Sequence, residues 1–454
     1  MNTDDTIAAL CTGVGGAINI IRISGEQAFD IGQKVWEGSK FLKENPRVML
    51  FGRVALGENS YDQALAVGMP NPHSYTGEDV VELHCHGGSL VAGKVLEMCV
   101  KNGARSAEGG EFTYRAFLND KMDLTQAEAV QDIISAHSKM ALSLAEKQIS
   151  GQLGVKVSEI RLQLFELLAE IESRMDFPEE NLDWVAPKII NEKIDSTVED
   201  ISKLLSSRTE GAVLRDGVKV VIAGRPNAGK SSLLNLLLGF DRAIVTQLAG
   251  TTRDTLEEFA TIRNIPVNLV DTAGIRDADN IIEQIGIDRS RKSLDTAHLI
   301  FWLLDASSDY EAELKEMENH LDADAPVIVI WNKIDELARL NKTVDDLPET
   351  PFSTVKISVV ENKNIDNLLD LFEEKVWGYP HNTEPDLAVS SRHSALLDEA
   401  LVALAELPEL VSAEDWELSA VNLHSAVMSL GTITGEDASI DVLENIFSNF
   451  CIGK

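Results

Sequence analysis

The sequence predicts a multidomain chain in which an α+β segment is followed by an all-α helical segment with an α/β segment inserted into it. Three observations lead there. The length of 454 residues, at roughly 100 to 200 residues per domain, asks for two to four domains. Strand-length apolar runs alternate with helical stretches only between about residues 213 and 377. Helical periodicity fills the chain on both sides of that region, so the expected boundaries are 1–119, then 120–212 joined with 379–454, and 213–378 between them.

In the first segment, short β-branched runs at 17–23, 64–69 and 80–84 mix with an amphipathic stretch at 89–102 and many glycines, which is an α+β pattern. From Leu124 to about Leu205 the period changes: Ile160, Leu164, Leu167, Leu168 and Ile171 recur at helical spacing, interrupted by turns at Pro178 and Pro187. The runs 218–224, 267–271, 299–305, 327–332 and 354–358 then read as strands of a parallel, doubly wound sheet. Helical patterns return at 394–407 and 418–430, and their apolar stripes can supply the partner that the helices before residue 212 lack.

Forty basic residues against seventy-four acidic ones give a net charge of −34, which argues against a generic nucleic-acid surface, because phosphate binding draws most of its affinity from Lys and Arg. The imbalance is uneven. Residues 1–119 hold 10 basic and 14 acidic residues, whereas 379–454 hold 2 and 13, so a polyanion is better received at the N-terminal end. Four scattered cysteines without a CxxC pair exclude a disulfide framework and a structural zinc ribbon. Cys11, Cys85 and Cys99 read as small core residues. His84 and His86 share one face of a strand but lack an evident third ligand, so zinc is not expected. The N-terminus lacks a secretory or transit pattern, and no apolar run approaches the ~18 residues that span a bilayer. A soluble, cytoplasmic protein with no membrane contact is expected.

Chemistry enters at 224–231, GRPNAGKS, a match to GxxxxGK[ST] between a strand and a helix. Its glycines let the backbone wrap phosphates, the helix N-terminus holds negative charge, Lys230 reaches the outer phosphates and Ser231 ligates Mg²⁺. Ser232 continues the turn. The sequence DTAG (Asp271, Thr272, Ala273, Gly274) ends a strand, with a carboxylate for the metal's water shell and an N–H for the γ-phosphate. NKID follows at 332–335, where Asn332, Lys333 and Asp335 lie at the sheet edge that binds ligands. Asp335 can accept from the N1–H and N2–H of guanine, a pair that adenine does not present, so this order of motifs points to GTP. Between them, GTTRD at 250–254 sits where a first switch belongs, and Thr252 is the second candidate hydroxyl on Mg²⁺.

These motifs resemble the translation-factor-related GTPases, with Ser358 followed by Val359 where the family usually has Ser-Ala. Guanine contact there is mainly through backbone and is expected to survive. The residue after DTAG is Ile275, which cannot orient water as a glutamine does. Asn227, with Ala228 and Gly229 in the phosphate loop and the segment Thr246, Gln247, Leu248, Ala249, Gly250, Thr251 and Thr252, resembles the potassium-activated GTPases. The resemblance implies K⁺ held by Asn227, Thr246, Leu248 and Thr251, stabilising charge where other enzymes use an arginine finger.

Outside this region RISG at 22–25, SYTGEDVVE at 74–82, the glycines 87 and 88, the run GEFTYRAFLNDKMDLTQAE at 110–128 and the terminal FCIGK resemble, over essentially the whole chain, the MnmE (TrmE) family of tRNA-modifying GTPases. That resemblance implies an N-terminal dimerising domain similar to tetrahydrofolate-binding domains, a two-piece helical domain and an inserted P-loop G domain. It implies a homodimer that works on tRNA with an FAD-dependent partner of the MnmG (GidA) type, in a heterotetramer or larger. The expected product is an aminomethyl-type group, commonly carboxymethylaminomethyl, on wobble uridine 34. The one-carbon unit is expected from 5-formyl- or 5,10-methylene-tetrahydrofolate. Folate contacts carry over to Arg22, Glu82, Lys121 and Lys454; a carboxylate pairs with pterin N–H groups and cations meet the glutamyl tail. Cys451 matches the residue required for the modification chemistry, and Glu283 the one that orients the attacking water. Arg253 and Arg276 are expected to order the switches. The turn at 12–17 and Cys85 before the His-Gly-Gly turn depart from the family pattern near the folate pocket.

Two rivals fit less well. A ribosome-assembly GTPase would carry an RNA-binding KH domain or a second G domain, and residues 379–454 are too acidic for the first. A folate transferase with a vestigial nucleotide domain would not keep three intact nucleotide motifs.

Overall fold

The structure is a computed structural model; it describes residues 5–13, 15–57, 59–136, 138–177, 184–240, 257–271, 296–320, 325–378, 387 and 389–454. The chain forms two compact units. One comprises Met1–Gln131, Glu146–Leu205 and Arg392–Lys454, the other Asp132–Ala145 and Ser206–Ser391. The predicted multidomain class, with its mixed sheet, its helices and its doubly wound sheet, is what the fold contains.

The first unit opens with a seven-stranded sheet built from β1 (Ile7–Leu10), β2 (Ile18–Ser24), β3 (Trp36–Gly38), β4 (Leu50–Gly57), β5 (Ser60–Met69), β6 (Val80–His86) and β7 (Arg105–Ser106), in the order β3-β4-β5-β6-β2-β1-β7. All pairs are antiparallel except β1 with β7. Helices α1 (Ala28–Val35) and α2 (Ser89–Lys101) cover one face. Their Phe29, Ile31, Val95 and Cys99 pack on Ile21, Ile23, Val81 and Leu83, which alternate inward as the two-residue strand period requires. Burial pushes the Cys85 thiol up to about 11 and that of Cys99 to about 12, as expected of small core residues. Cys11 departs from the expectation: just past the end of β1 it is only half-buried.

Helix α3 (Glu111–Leu118) is locked to this sheet by charge. Arg115, 1% exposed, meets Asp5 at 2.7 Å, Glu111 at 3.1 Å and Glu78 at 3.2 Å. A cation buried that deeply persists only because carboxylates surround it.

Four longer helices follow: α4 (Leu124–Ser135), α5 (Lys139–Ile149), α6 (Gln152–Asp176) and α7 (Pro187–Ser206). α6 buries Val157, Ile160, Leu164, Leu167, Leu168 and Ile171 along one stripe, and its partner comes from the far end of the chain. Helices α12 (Ser391–Ala405), α13 (Leu407–Ser412), α14 (Trp416–Thr434) and α15 (Ile440–Ser448) belong to the same unit. Arg161 on α6 donates to the Val427 carbonyl and pairs with Asp437 at 2.8 Å and with Glu436. Glu128 on α4 takes both sides of Arg392, at 2.8 and 2.9 Å, and His393 at 2.7 Å. α15 packs Leu443 and Phe447 on Tyr114 and Leu124.

The second unit holds α8 (Arg208–Asp216), α9 (Lys230–Phe240), α10 (Tyr310–His320), α11 (Ile365–Trp377) and the strands β8 (Val218–Gly224), β9 (Glu257–Ile262), β10 (Ile265–Asp271), β11 (Leu299–Asp305), β12 (Val327–Asn332) and β13 (Ser353–Lys356). Their order is β13-β12-β11-β8-β10-β9, parallel throughout except β9. Both faces are covered: Val220, Ile222, Phe301 and Leu303 pack under α9 and α11, while Ile300, Trp302, Leu304 and Trp331 pack under α10. Burial on both faces is why β11 and β12 read as near-continuous apolar runs. From β8 the chain goes first to β10 on one side and later to β11 on the other, so the carboxyl end of β8 is the switch point where open α/β sheets bind ligands. No helix among the described residues is long and apolar enough to cross a membrane.

Candidate functional site

β8 runs straight into the phosphate loop, whose path needs left-handed backbone at three positions: Gly224 (φ 135°), Asn227 (φ 66°) and Gly229 (φ 102°). At Gly229 a side chain is excluded twice over, by φ and by space, since a Cβ there would lie 2.3 Å from Asn332 Nδ2. Lys230, buried at the start of α9, donates through Nζ to the carbonyls of Gly224 and Arg225, both at 2.9 Å. Ser231 and Ser232 follow on the exposed first turn of α9, where the free N–H groups of a helix terminus attract anions.

The loops expected to recognise guanine close on the same edge. Asn332 ends β12, donates through Nδ2 to the Ala228 carbonyl at 2.9 Å and accepts the Val359 N–H at 3.2 Å. One amide thus ties the phosphate loop to both NKID and the segment after Ser358. Lys333 adopts a left-handed conformation, φ 66°, and its ammonium lies 2.6 Å from Asp305 Oδ2. Burial works against the Asp305 carboxylate, yet Lys333 and two donors from Ser307 outweigh it and hold its pKa below the ordinary carboxylate value. Ser358 is fully buried, its hydroxyl fixed by the Glu361 N–H at 3.1 Å, and Val359 leaves that turn intact. Among the described residues Asp335 Oδ1 is buried and accepts no hydrogen bond. A buried carboxylate oxygen without a donor is costly, and the N–H edge of guanine is a donor of the required kind.

β10 ends at Asp271, as expected. The sequence-predicted residues Thr246, Gln247, Leu248, Ala249, Gly250, Thr251, Thr252, Arg253, Thr272, Ala273, Gly274, Ile275, Arg276 and Glu283 lie outside the described residues.

A second polar cluster stands on the N-terminal sheet, on the face away from α1 and α2. Arg22 on β2 is the register partner of Glu82 on β6, and its Nε donates to Glu82 Oε1 at 2.9 Å. The guanidinium lies 5.3 Å from the ring centre of Tyr75 and 5.5 Å from that of Phe112. His84, two residues along β6, reaches Glu82 Oε2 at 3.4 Å, and with Arg22 it holds the Glu82 pKa below its usual value against the effect of burial. His86 instead pairs with Asp62 at 2.6 Å.

The C-terminal tail returns to this sheet. Ile452 bridges Gly109, the Cys451 carbonyl accepts from Gly110 at 3.4 Å and the Lys454 carbonyl from Phe112 at 3.0 Å. Gly453, at φ 94°, packs so closely that a Cβ would come within 2.3 Å of the Leu10 carbonyl and 3.0 Å of Cys11 Cα. Cys451, expected near a free end, is therefore half-buried in a docked tail. Of the four expected folate contacts, Arg22 and Glu82 meet directly and Lys454 ends the tail that binds Phe112. Lys121 is exposed and donates to the Pro72 carbonyl at 3.2 Å, in the segment that leads to Tyr75.

A guanidinium paired with a carboxylate, with two aromatic rings near the guanidinium, suits a planar heterocycle with adjacent donors and acceptors. Sequence reasoning missed His84 as a partner of Glu82, and Tyr75 and Phe112 as the rings beside Arg22. Strand alternation puts His84 on the face of Glu82, so that signal was present; the two rings arrive from a loop and a helix with no local mark.

Comparisons with known proteins agree in extent. Residues 124–451 match the model described as "MnmE helical domain", and residues 6–121 match "GTP-binding protein TrmE N-terminus". The tRNA modification GTPase MnmE of Clostridioides difficile is 41% identical over 465 residues, covering 100% of both chains. That of Natranaerobius thermophilus is 39% identical, also over 100% of both. A crystal structure of Aquifex aeolicus Era bound to GDP·AlF4⁻ covers 41% of this chain and 67% of its own at 25% identity, with a TM-score of 0.26, a value that adds nothing to the assignment.

Proposed function

Because the chain belongs to the MnmE family of tRNA modification GTPases and is a GTP hydrolase, we propose that it couples GTP hydrolysis to building a (carboxymethyl)aminomethyl group on C5 of wobble uridine 34 in certain tRNAs. It does so as a cytoplasmic homodimer with an FAD-dependent partner of the MnmG type, and takes the one-carbon unit from a tetrahydrofolate derivative. Residues 1–119 serve as the folate-binding and dimerising domain, 120–212 with 379–454 as the helical domain, and 213–378 as the G domain.

The observation that carries this reading is that one chain presents two unrelated sets of recognition groups. The guanine loops offer the Asp335 oxygen, which has no partner among the described residues, and the N-terminal sheet offers the Arg22–Glu82 pair with Tyr75 and Phe112 near the guanidinium and the Cys451–Lys454 tail docked on Gly110 and Phe112. A pure switch has no use for the second.

At the nucleotide, Lys230 and the N–H groups of Asn227, Ala228, Gly229, Ser231 and Ser232 hold the phosphates, and Asp335 with Asn332, Lys333 and Ser358 holds guanine. Ser231 and Thr252 are the protein ligands for Mg²⁺; Asn227, Thr246, Leu248 and Thr251 are those for K⁺. The two cations supply positive charge where the transition state spreads negative charge. Glu283 orients the attacking water. At the second site Glu82 receives pterin N–H groups, Arg22, Lys121 and Lys454 meet carboxylates, and Cys451 takes part in the modification chemistry.

The test is nucleoside mass spectrometry of tRNA from cells lacking this protein. Unmodified uridine 34 is the expected result; normal uridine 34 accompanied by defective ribosomes would replace this reading with a ribosome-assembly switch.

A further inference from the structure

The phosphate loop and the guanine loop share a support that no nucleotide motif contains. β11 ends at Asp305, and the chain turns through Ala306, Ser307 and Ser308 into α10, with the Ser308 N–H bonded to the Asp305 carbonyl at 3.1 Å. Two carboxylates stand at this turn. Asp305 Oδ2 takes Lys333 Nζ of the NKID sequence at 2.6 Å, and its Oδ1 takes the Ser307 hydroxyl at 2.6 Å and N–H at 2.8 Å. Glu313, on the first turns of α10 and only 3% exposed, takes Arg225 Nη1 of the phosphate loop at 3.2 Å and the Ser308 hydroxyl at 2.9 Å. Its other oxygen faces the Asp305 N–H at 3.4 Å.

We propose that Asp305 and Glu313 form a positioning hub that sets the separation of the phosphate and guanine loops and so governs how long a guanine nucleotide stays bound. The proposal rests on reading residues 224–231 and 332–335 as those loops. Glu313 is buried, and Arg225 is the cation it meets. Arg225 in turn has its side chain held by Glu313 while its own carbonyl accepts from Lys230 Nζ. Releasing Arg225 therefore frees the acceptor that orients the phosphate-binding lysine. On the other side, releasing Lys333 from Asp305 loosens a residue already held in left-handed backbone two positions before Asp335. Neither hub residue has to touch the nucleotide; Glu313 acts through Arg225 on Lys230, and Asp305 acts through Lys333 on the loop that carries Asp335.

The experiment uses the full chain and the fluorescent analogue mant-GDP, read by stopped-flow release, with steady-state GTP kinetics alongside. Arg225→Gln, Glu313→Gln and Asp305→Asn are each expected to speed mant-GDP release about tenfold, near 1.4 kcal/mol, and to raise KM for GTP more than they lower kcat. The double variant Arg225→Gln/Glu313→Gln is expected to release no faster than either single one, because both remove the same link. Arg225→Lys keeps the charge and is expected to recover most of the dwell time. A lesion of stability alone would lower the melting temperature and leave release, the KM split and the lysine rescue unmoved. If Glu313→Gln does not fold, the Arg225 pair decides, since that side chain is 40% exposed and its loss leaves no core void. Parental release by Arg225→Gln, or additive single effects, overturns the hub. Lys230→Ala separates the two levels: loss of mant-GDP binding there with a parental Arg225→Gln sinks only the hub, whereas retained binding by Lys230→Ala sinks the nucleotide reading itself.

Discussion

Replacing Asp335 by asparagine tests base recognition where it is most localised. Asp335 Oδ1 is buried without a donor among the described residues, and under the proposed reading its carboxylate would accept from both N1–H and N2–H of guanine. A hydrogen bond to a charged group contributes about 1.5–3 kcal/mol, so losing two costs roughly 3–6 kcal/mol, on the order of 10² to 10⁴ in Kd at tenfold per 1.4 kcal/mol. The introduced side-chain amide would also set an N–H donor against the guanine donors. Isothermal titration with GDP, IDP and XDP resolves the contributions. IDP lacks the N2 amine and is expected to bind the parent about 10- to 100-fold more weakly than GDP, one bond's worth. The variant is expected to lose GDP and to gain XDP, whose 2-carbonyl accepts from the new amide. GDP affinity within threefold of the parent would refute the assignment of Asp335 to the base, whatever the sequence resembles.

Three further outcomes follow from other parts of the chain. Glu82→Gln and Arg22→Met each break the pair at 2.9 Å on the N-terminal sheet and are expected to weaken reduced-folate binding about tenfold or more, by fluorescence titration, without moving GDP affinity. Burial opposes ionisation of Glu128, but His393 and Arg392 hold its pKa well below the ordinary carboxylate range. Its stabilisation is present above about pH 4.3, the usual Glu value, and is lost as pH falls through the depressed folded-state value; Glu128→Gln is expected to cost about 3–5 kcal/mol at pH 7 by chemical denaturation, a gap that narrows below pH 4.3. Gly453→Ala meets both a left-handed φ and the Leu10 carbonyl, a strain of about 1–3 kcal/mol; the docked tail is expected to detach and Cys451 to react faster with a thiol reagent.

The legibility of the sequence follows burial. β11 and β12 have the predicted bounds because strands buried on both faces are continuous apolar runs. β4 and β9 were not predicted: β4 mixes Gly52, Arg53 and Gly57 into an irregular pairing with β5, and β9 carries Glu257 and Glu258 at the sheet edge. The terminal helix α15 was missed because its apolar face is short and packs on Tyr114, more than 300 residues away. Motif residues could be placed from spacing alone, since Lys230 and Asn332 sit within the loops that carry their motifs. The residues that hold those loops could not. Glu313 is one acid among several in α10, and only the packing of α10 on β11 makes it the buried partner of Arg225. His84 and Tyr75 become partners of Glu82 and Arg22 only once strands and loops are paired in space.

The central claim is that both sites on this chain serve one modification. Its most direct measurement is uridine 34 mass spectrometry in cells whose only copy of this protein carries Lys230→Ala or, separately, Glu82→Gln, with the folded state of each variant checked by thermal melting. Loss of the modified nucleoside in both strains, with GTP hydrolysis lost only in the first, is the predicted result. Full modification with a folded Lys230→Ala or Glu82→Gln protein would contradict the account.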